Sequence, residues 1–268
     1  MKAMTCTFIL GPKGFDREAS LPLTDRGFRY GMSIFETIAI RDSRPILADE
    51  HLEKLAGISD HVNFAPPAGW LEATRAMLAD TPIVEGVCRV YLTGGDGGME
   101  LTVRESRVAL IFEETPIPAP EKVAATTAIS TPFIPMLPPG KTGNYWGHLI
   151  ANAQSGDQQT ILFTPDGALL GGATSNLFLV KAGRIVTPAL NGEIRRGAVH
   201  DWVVSEFPVS RETLTLQDID EAGDAFLTNS RMGVQRLSKL DDRALPGHPL
   251  VEEIWQRYRS QVLQIPSS

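Results

Sequence analysis

Prolines stand at every second position of Thr115-Pro116-Ile117-Pro118-Ala119-Pro120. Each one fixes its own backbone rotation and pushes the residue before it out of the helical region. The hexapeptide is therefore a stiff, extended connection. It divides the 268 residues into two pieces of ordinary domain size. The expected organisation is a smaller N-terminal α+β domain over 1–114, a linker over 115–121 and a larger C-terminal α+β domain over 122–268.

Both pieces mix the two hydrophobic periods. In the first, Thr5–Leu10, Ser33–Ile40, Val87–Thr93 and Val108–Glu113 read as strands, rich in β-branched and aromatic residues. Arg41–Pro45 is a polar turn, and Gly94-Gly95-Asp96-Gly97-Gly98 stops a strand. Ala48–Val62 carries Leu52, Leu55 and Ile58 at helical spacing, and Trp70–Ala79 is a second helix. In the second piece, Val123–Ser130, Thr160–Thr164, Asn176–Lys181, Arg184–Thr187 and Ala225–Thr228 read as strands. Asn144–Ala153, Gly197–Glu206 and Leu250–Leu263 read as helices, and Leu216–Glu221 as one short helical turn. The fold class is α+β, two domains with mixed sheets and flanking helices.

Composition narrows the function. A net charge of −7 argues against a nucleic-acid partner, which wants a basic face. No apolar run approaches the ~20 residues of a membrane span, and Met1–Gly14 lacks the organisation of a signal peptide. A cytoplasmic protein is expected, with no membrane partner. Cys6 and Cys88 lie in apolar runs and read as buried, reduced thiols. No Cys/His cluster has metal-ligand spacing, so no metal is expected.

Three short stretches carry the chemistry. Lys141 sits in Gly140-Lys141-Thr142-Gly143-Asn144-Tyr145. A desolvated lysine amine loses its proton more easily and attacks carbonyl carbon. Downstream comes Gly171-Gly172-Ala173-Thr174-Ser175-Asn176-Leu177-Phe178, and far upstream Asp25-Arg26-Gly27-Phe28-Arg29-Tyr30-Gly31-Met32-Ser33-Ile34-Phe35-Glu36-Thr37.

Together these stretches resemble the class IV aminotransferases, the fold-type-IV family of pyridoxal 5'-phosphate (PLP) enzymes. That family includes branched-chain and D-amino-acid aminotransferases and aminodeoxychorismate lyase. The resemblance implies a D-amino-acid aminotransferase-like fold, PLP as cofactor and a homodimer. It implies that Lys141 holds the cofactor aldehyde as a Schiff base and moves the substrate α-proton.

The cofactor-binding residues it implies are Lys54, Tyr145, Thr174, Ala198, Val199, Asn229 and Ser230. Lys54, in His51-Leu52-Glu53-Lys54-Leu55, stands where the family has arginine; it keeps the charge and loses the bidentate fork. Ala198 and Val199 follow Gly197 at a helix start, where backbone N–H groups and the helix dipole favour a phosphate. Asn229 and Ser230 close Leu227-Thr228-Asn229-Ser230 and offer amide and hydroxyl donors. Tyr145 either contacts the cofactor or packs in the core. On the substrate side Tyr30 resembles a wall residue, and Arg29 or Arg89 has the chemistry to bind a carboxylate. Glu36 and Asp25 read as structural.

One position departs from the family. Gly171 stands where a glutamate pairs with the pyridine nitrogen, and Asp166, the nearest acid in sequence, belongs to a turn. The function implied is amino transfer between an amino acid and a keto acid. Aminodeoxychorismate lyase, which eliminates pyruvate and leaves 4-aminobenzoate, is the alternative. A non-catalytic relative is the second.

Overall fold

Residues 4–117, 122–129, 140–156, 158–189 and 195–265 are described by the computed structural model of the chain. They form two compact units, one of Met1–Ile117 with Gly140–Tyr145, the other of Pro118–Pro139 with Trp146–Ser268. The expected linker falls partly outside the described residues, at 118–121, as do 130–139.

The first unit is built on strands β1 (Thr5–Gly11), β2 (Gly14–Asp16), β3 (Ser33–Arg41), β4 (Arg44–Pro45), β5 (Gly86–Thr93) and β6 (Arg107–Glu114). They form one antiparallel sheet in the order β2-β1-β6-β5-β3-β4. A short helix α1 (Arg26–Tyr30) precedes β3, and α2 (Ala48–His61) and α3 (Trp70–Ala79) precede β5. Strand alternation sorts the side chains to two faces. Ile34, Ile38 and Ile40, with Cys88, Val90 and Leu92 and with Val108, Leu110 and Phe112, meet Leu52, Leu55, Trp70 and Leu78 in one apolar core. The opposite face carries Phe35, Thr37, Arg89, Tyr91 and Glu113, and it is where the polar chemistry of this unit lies.

Helix α1 is the DRGF stretch. Asp25 caps it by accepting from the Gly27 N–H at 2.7 Å, and Gly31 ends it at φ +65°. Asp25 also accepts from Thr93 Oγ1 at 2.7 Å and from Arg107 at 2.8 Å. Arg26 is fully buried and donates to the carbonyls of Gly94, Glu100 and Thr102. The stretch thus anchors the loop after β5.

The second unit contains β7 (Lys122–Ile129), α4 (Trp146–Gln154), β8 (Gln159–Phe163), β9 (Leu169–Gly172), β10 (Asn176–Lys181), β11 (Arg184–Pro188), α5 (Ala198–Glu206), β12 (Val209–Glu212), α6 (Leu216–Glu221), β13 (Asp224–Asn229), β14 (Gly233–Leu240), β15 (Arg243–Ala244) and α7 (Pro249–Gln261). The sheet is mixed, ordered β12-β11-β10-β13-β14-β7-β8-β9, with β15 on β14. Leu177, Leu179, Ala225 and Leu227 join Ile219 and Ala222 in the core on one side. On the other side Phe178 stacks on Phe226 at 4.7 Å and meets His200 of α5 at 5.2 Å.

Residues 140–145 depart from the expected division. They lie C-terminal to the expected boundary, yet they cluster with the N-terminal unit. The reason is edge pairing. β4 covers β3 only at Ile40 and Arg41, so the edge near Ile34 is open to another strand. Thr142 bridges Ile34, Phe35 N–H donates to Lys141 O at 2.9 Å, and Gly143 N–H donates to Ser33 O at 2.9 Å. The same pairing delays the following helix, expected from Asn144, to Trp146. Cys6 and Cys88 are free and buried, and burial pushes the Cys88 thiol well above its ordinary range. Among the described residues no helix is long and apolar enough to cross a membrane.

Candidate active site

The lysine is positioned between two close approaches at glycines. A side chain at Gly140 would lie 2.5 Å from Ile58 Cδ1, and one at Gly143 would lie 2.4 Å from Ser33 Oγ. The segment therefore lies flat along β3 and against α2. Lys141, half-buried, directs its Nζ to 3.4 Å from Thr37 Oγ1 and 5.5 Å from the Phe35 ring centre. Phe35 stacks on Tyr91 at 4.9 Å and takes Tyr145 edge-on at 5.3 Å. The amine thus has an aromatic floor and a hydroxyl beside it.

Lys54 lies on α2 three residues after His51 and four before Ile58, so it shares the stripe that meets Gly140. At the head of that stripe His51 Nδ1 is 2.8 Å from Glu36 Oε2, both buried. This pair ties α2 to the core face of β3, in keeping with a structural Glu36.

Arg89 stands directly opposite Thr37 in the β3–β5 ladder, with Tyr91 opposite Phe35. Its guanidinium pairs with the Glu113 carboxylate of β6. Burial pushes the Tyr91 phenol above its ordinary range; Arg89 draws it down and Glu113 pushes it up. Arg29 is exposed, donates to Gly97 O at 3.2 Å and lies 4.7 Å over the Tyr30 ring. Those contacts hold Arg29 and Tyr30 to the α1 surface.

The second unit carries the helix start and the polar residues of stretches 171–178 and 227–230. α5 begins at Gly197 with no side-chain cap. The N–H groups of Ala198 and Val199 precede the first helical carbonyl they could bond. Asn176 fixes this helix start. Its Nδ2 donates to Arg195 O at 2.6 Å, and its Oδ1 accepts from the Gly197 N–H at 3.1 Å. Asn176 is paired across the ladder with Thr228, on the face that α5 covers. Among the described residues, Thr228 Oγ1 is buried with no hydrogen-bond partner, and so is Ser175 Oγ. Thr174 lies half-buried in the same turn as Ser175. Asn229 uses its Oδ1 on the Met232 N–H at 2.7 Å, closing the turn that holds Ser230.

Gly171 has φ +125° and pairs with Leu162 beside a bulge at Leu170. A side chain built there would first meet Ser175 O at 3.3 Å. Asp166 belongs to its own turn, where Thr164 holds its carboxyl below the ordinary range.

The first unit thus holds a half-buried lysine over an aromatic ring, and the second, taken by itself, holds a helix start without a side-chain cap and a buried threonine hydroxyl. The family model for amino-transferase class IV matches residues 33–240, and the chain belongs to that family. It is 25% identical over 248 residues to the aminodeoxychorismate lyase of Bacillus subtilis, covering 85% of this chain and 84% of that one. It is 24% identical over 255 residues to the D-alanine aminotransferase of Staphylococcus epidermidis, covering 89% and 90%. The branched-chain aminotransferase of Thermoproteus uzoniensis, solved with norvaline, superposes with a TM-score of 0.84. It is 20% identical and covers 98% of this chain and 95% of that one.

Sequence alone does not single out Thr37, Thr228, Ser175 or Glu113. Thr37, Ser175 and Thr228 lie within the motif stretches, and strand alternation places Thr37 on the Phe35 face. Nothing local marks Glu113 as the partner of Arg89.

Proposed function

We propose that this protein moves an amino group between an amino acid and a keto acid, with Lys141 as the reacting amine and PLP as cofactor. The observation that carries the proposal is the placement of Lys141 Nζ, 5.5 Å over the Phe35 ring and beside the Thr37 hydroxyl. An amine held half-buried over an aromatic ring, within reach of a hydroxyl, is positioned to attack a carbonyl carbon. When bound, the cofactor supplies a carbonyl for the substrate amine and a ring that accepts electrons from the α-carbon.

Each unit, taken by itself, has residues that suit part of that group. In the second, the Thr228 hydroxyl, buried and without a hydrogen-bond partner among the described residues, and the N–H groups at the start of α5 suit a phosphate. Lys54 adds positive charge in this reading, and Ser230 and Thr174 add hydroxyls. Asn229 acts through its turn. Tyr145 orients Phe35 and hence the lysine. Lys141 would be the base that takes the proton from the substrate α-carbon and the acid that returns it at the acceptor carbon. At the ring nitrogen the fit stops, because Gly171 offers no carboxylate.

The test is optical. PLP added to the purified protein should produce a visible absorbance band that Lys141→Ala abolishes. Identical spectra for the two proteins would overturn the assignment. Elimination of pyruvate from aminodeoxychorismate uses the same proton abstraction, and the lyase relative supports keeping it as the second reading. Turnover of aminodeoxychorismate against alanine with a keto acid decides between them. We also read the protein as a cytoplasmic homodimer. Phe28, Met99 and Leu101, 65%, 88% and 84% exposed, support a contact between copies. Light scattering of the purified protein tests it.

A further inference from the structure

A carboxylate-binding arginine works because its charge is available. Arg89 sits on the lysine face of the first unit, opposite Thr37, whose hydroxyl contacts Lys141. Directly opposed residues on antiparallel strands point the same way. Arg89 therefore sits across the ladder from the residue whose hydroxyl the Lys141 amine contacts. Its guanidinium is paired with Glu113, and both side chains are about one-third exposed, at 32% and 35%. The pair is thus open to a ligand without being in bulk water.

Glu113 reaches Arg89 diagonally. The ladder sets Arg89 opposite Ile111, and Glu113 follows two residues later on the same face. An acid at this position, rather than the alternating Ile111 or Ala109 type, places a fixed negative charge beside the arginine. The sum of the two charges is zero. A second carboxylate on an incoming substrate would have to displace Glu113 from the fork or lie beside it, and like charges at such range repel.

We propose that Glu113 sets substrate class: by occupying Arg89 it excludes amino acids that carry a second carboxylate and leaves those with an uncharged side chain. Glu113 is a positioning residue that acts through Arg89 and touches no reacting atom. Discrimination of this kind comes from a repulsive element as much as from an attractive one. The inference rests on Lys141 being the reacting amine.

The experiment uses Glu113→Gln, which removes the charge and keeps the shape, and Glu113→Asp, which keeps the charge. Glutarate and its uncharged diamide are titrated into the cofactor-free full-length protein by calorimetry. Glu113→Gln should bind glutarate at least about tenfold more tightly than wild type, with the diamide unchanged. With PLP present, the KM for glutamate should fall by a similar factor at unchanged kcat, while the KM for alanine stays within about twofold. Glu113→Asp should behave as wild type.

Unchanged glutarate affinity in Glu113→Gln would overturn the proposal, as would an equal shift in Glu113→Asp. A matching fall in KM for alanine would place the α-carboxylate at Arg89 and overturn it too. Absence of the PLP band in wild type would sink the amine reading alone. The glutarate titration would still decide the role of Glu113.

Discussion

A buried hydroxyl without a partner destabilises the fold by about 1–3 kcal/mol, so Thr228, which has none among the described residues, needs a reason to be there. In the proposed function a phosphate oxygen supplies one. Thr228→Val keeps the shape and removes the polar atom. The cofactor-free variant should be as stable as wild type or more so in urea unfolding. Its affinity for PLP should drop by about tenfold or more, since a hydrogen bond to a charged group contributes about 1.5–3 kcal/mol. A variant that is less stable and binds PLP normally would refute this role. Gly171 poses the opposite question. The missing family glutamate suggests restoring it, but φ +125° is a conformation that L residues rarely adopt. Gly171→Glu should therefore lower stability by about 1–3 kcal/mol in the same assay, and unchanged stability would contradict the strain. Lys141 is singled out by its motif, and the structure shows where its side chain lies. Thr228 is not singled out, because its neighbours Asn229 and Ser230 carry equally suitable groups, and only the structure shows the Asn229 oxygen committed to Met232.

At the scale of elements, long periodic segments such as α2, α3 and β5 were legible because their apolar faces repeat. Strands β9 and β14 were not. Leu169–Gly172 is four residues with two glycines, and Gly233–Leu240 interleaves Gln235, Arg236, Ser238 and Lys239 among its apolar residues. Helix α6, only six residues, forms because Thr215 and Asp218 cap each other and Lys181 of β10 holds Asp218. Burial alone would raise the Asp218 carboxyl, but Lys181 and the Thr215 N–H and hydroxyl together hold it below its ordinary range. The Lys181 ammonium is raised chiefly by Asp218. The signs fix the pH response. A depressed acid contributes stability above its unfolded pKa, lost as pH falls through the folded value. A raised lysine contributes below its unfolded pKa, lost as pH rises through the folded value. The pair therefore stabilises the second unit across the neutral range and weakens at both ends. Asp218→Asn should flatten the acid limb of urea-midpoint against pH, and an acid limb identical to wild type would remove the pair from the account. Thr215→Ala should cost about 1 kcal/mol at neutral pH.

The chain divides into two units with separate apolar cores, and Lys141 follows the core it packs on rather than the half of the sequence it comes from. Sequence spacing could not show this, because the bridge from Thr142 to Ile34 joins residues far apart in the chain. The division predicts which core protects the amine. Ile38, fully buried, lies on the strand that Lys141 pairs with, and Leu227, equally buried, lies in the other core. Truncating either to alanine should destabilise its own unit by about 2–5 kcal/mol. The labelling rate of Lys141 with an amine-selective reagent, read by mass spectrometry on its peptide, reports when the β3 edge releases the segment. Ile38→Ala should lower the temperature at which labelling accelerates by more than Leu227→Ala does. If Leu227→Ala has the larger effect, the lysine takes its stability from the C-terminal core, and its assignment to the first unit is wrong.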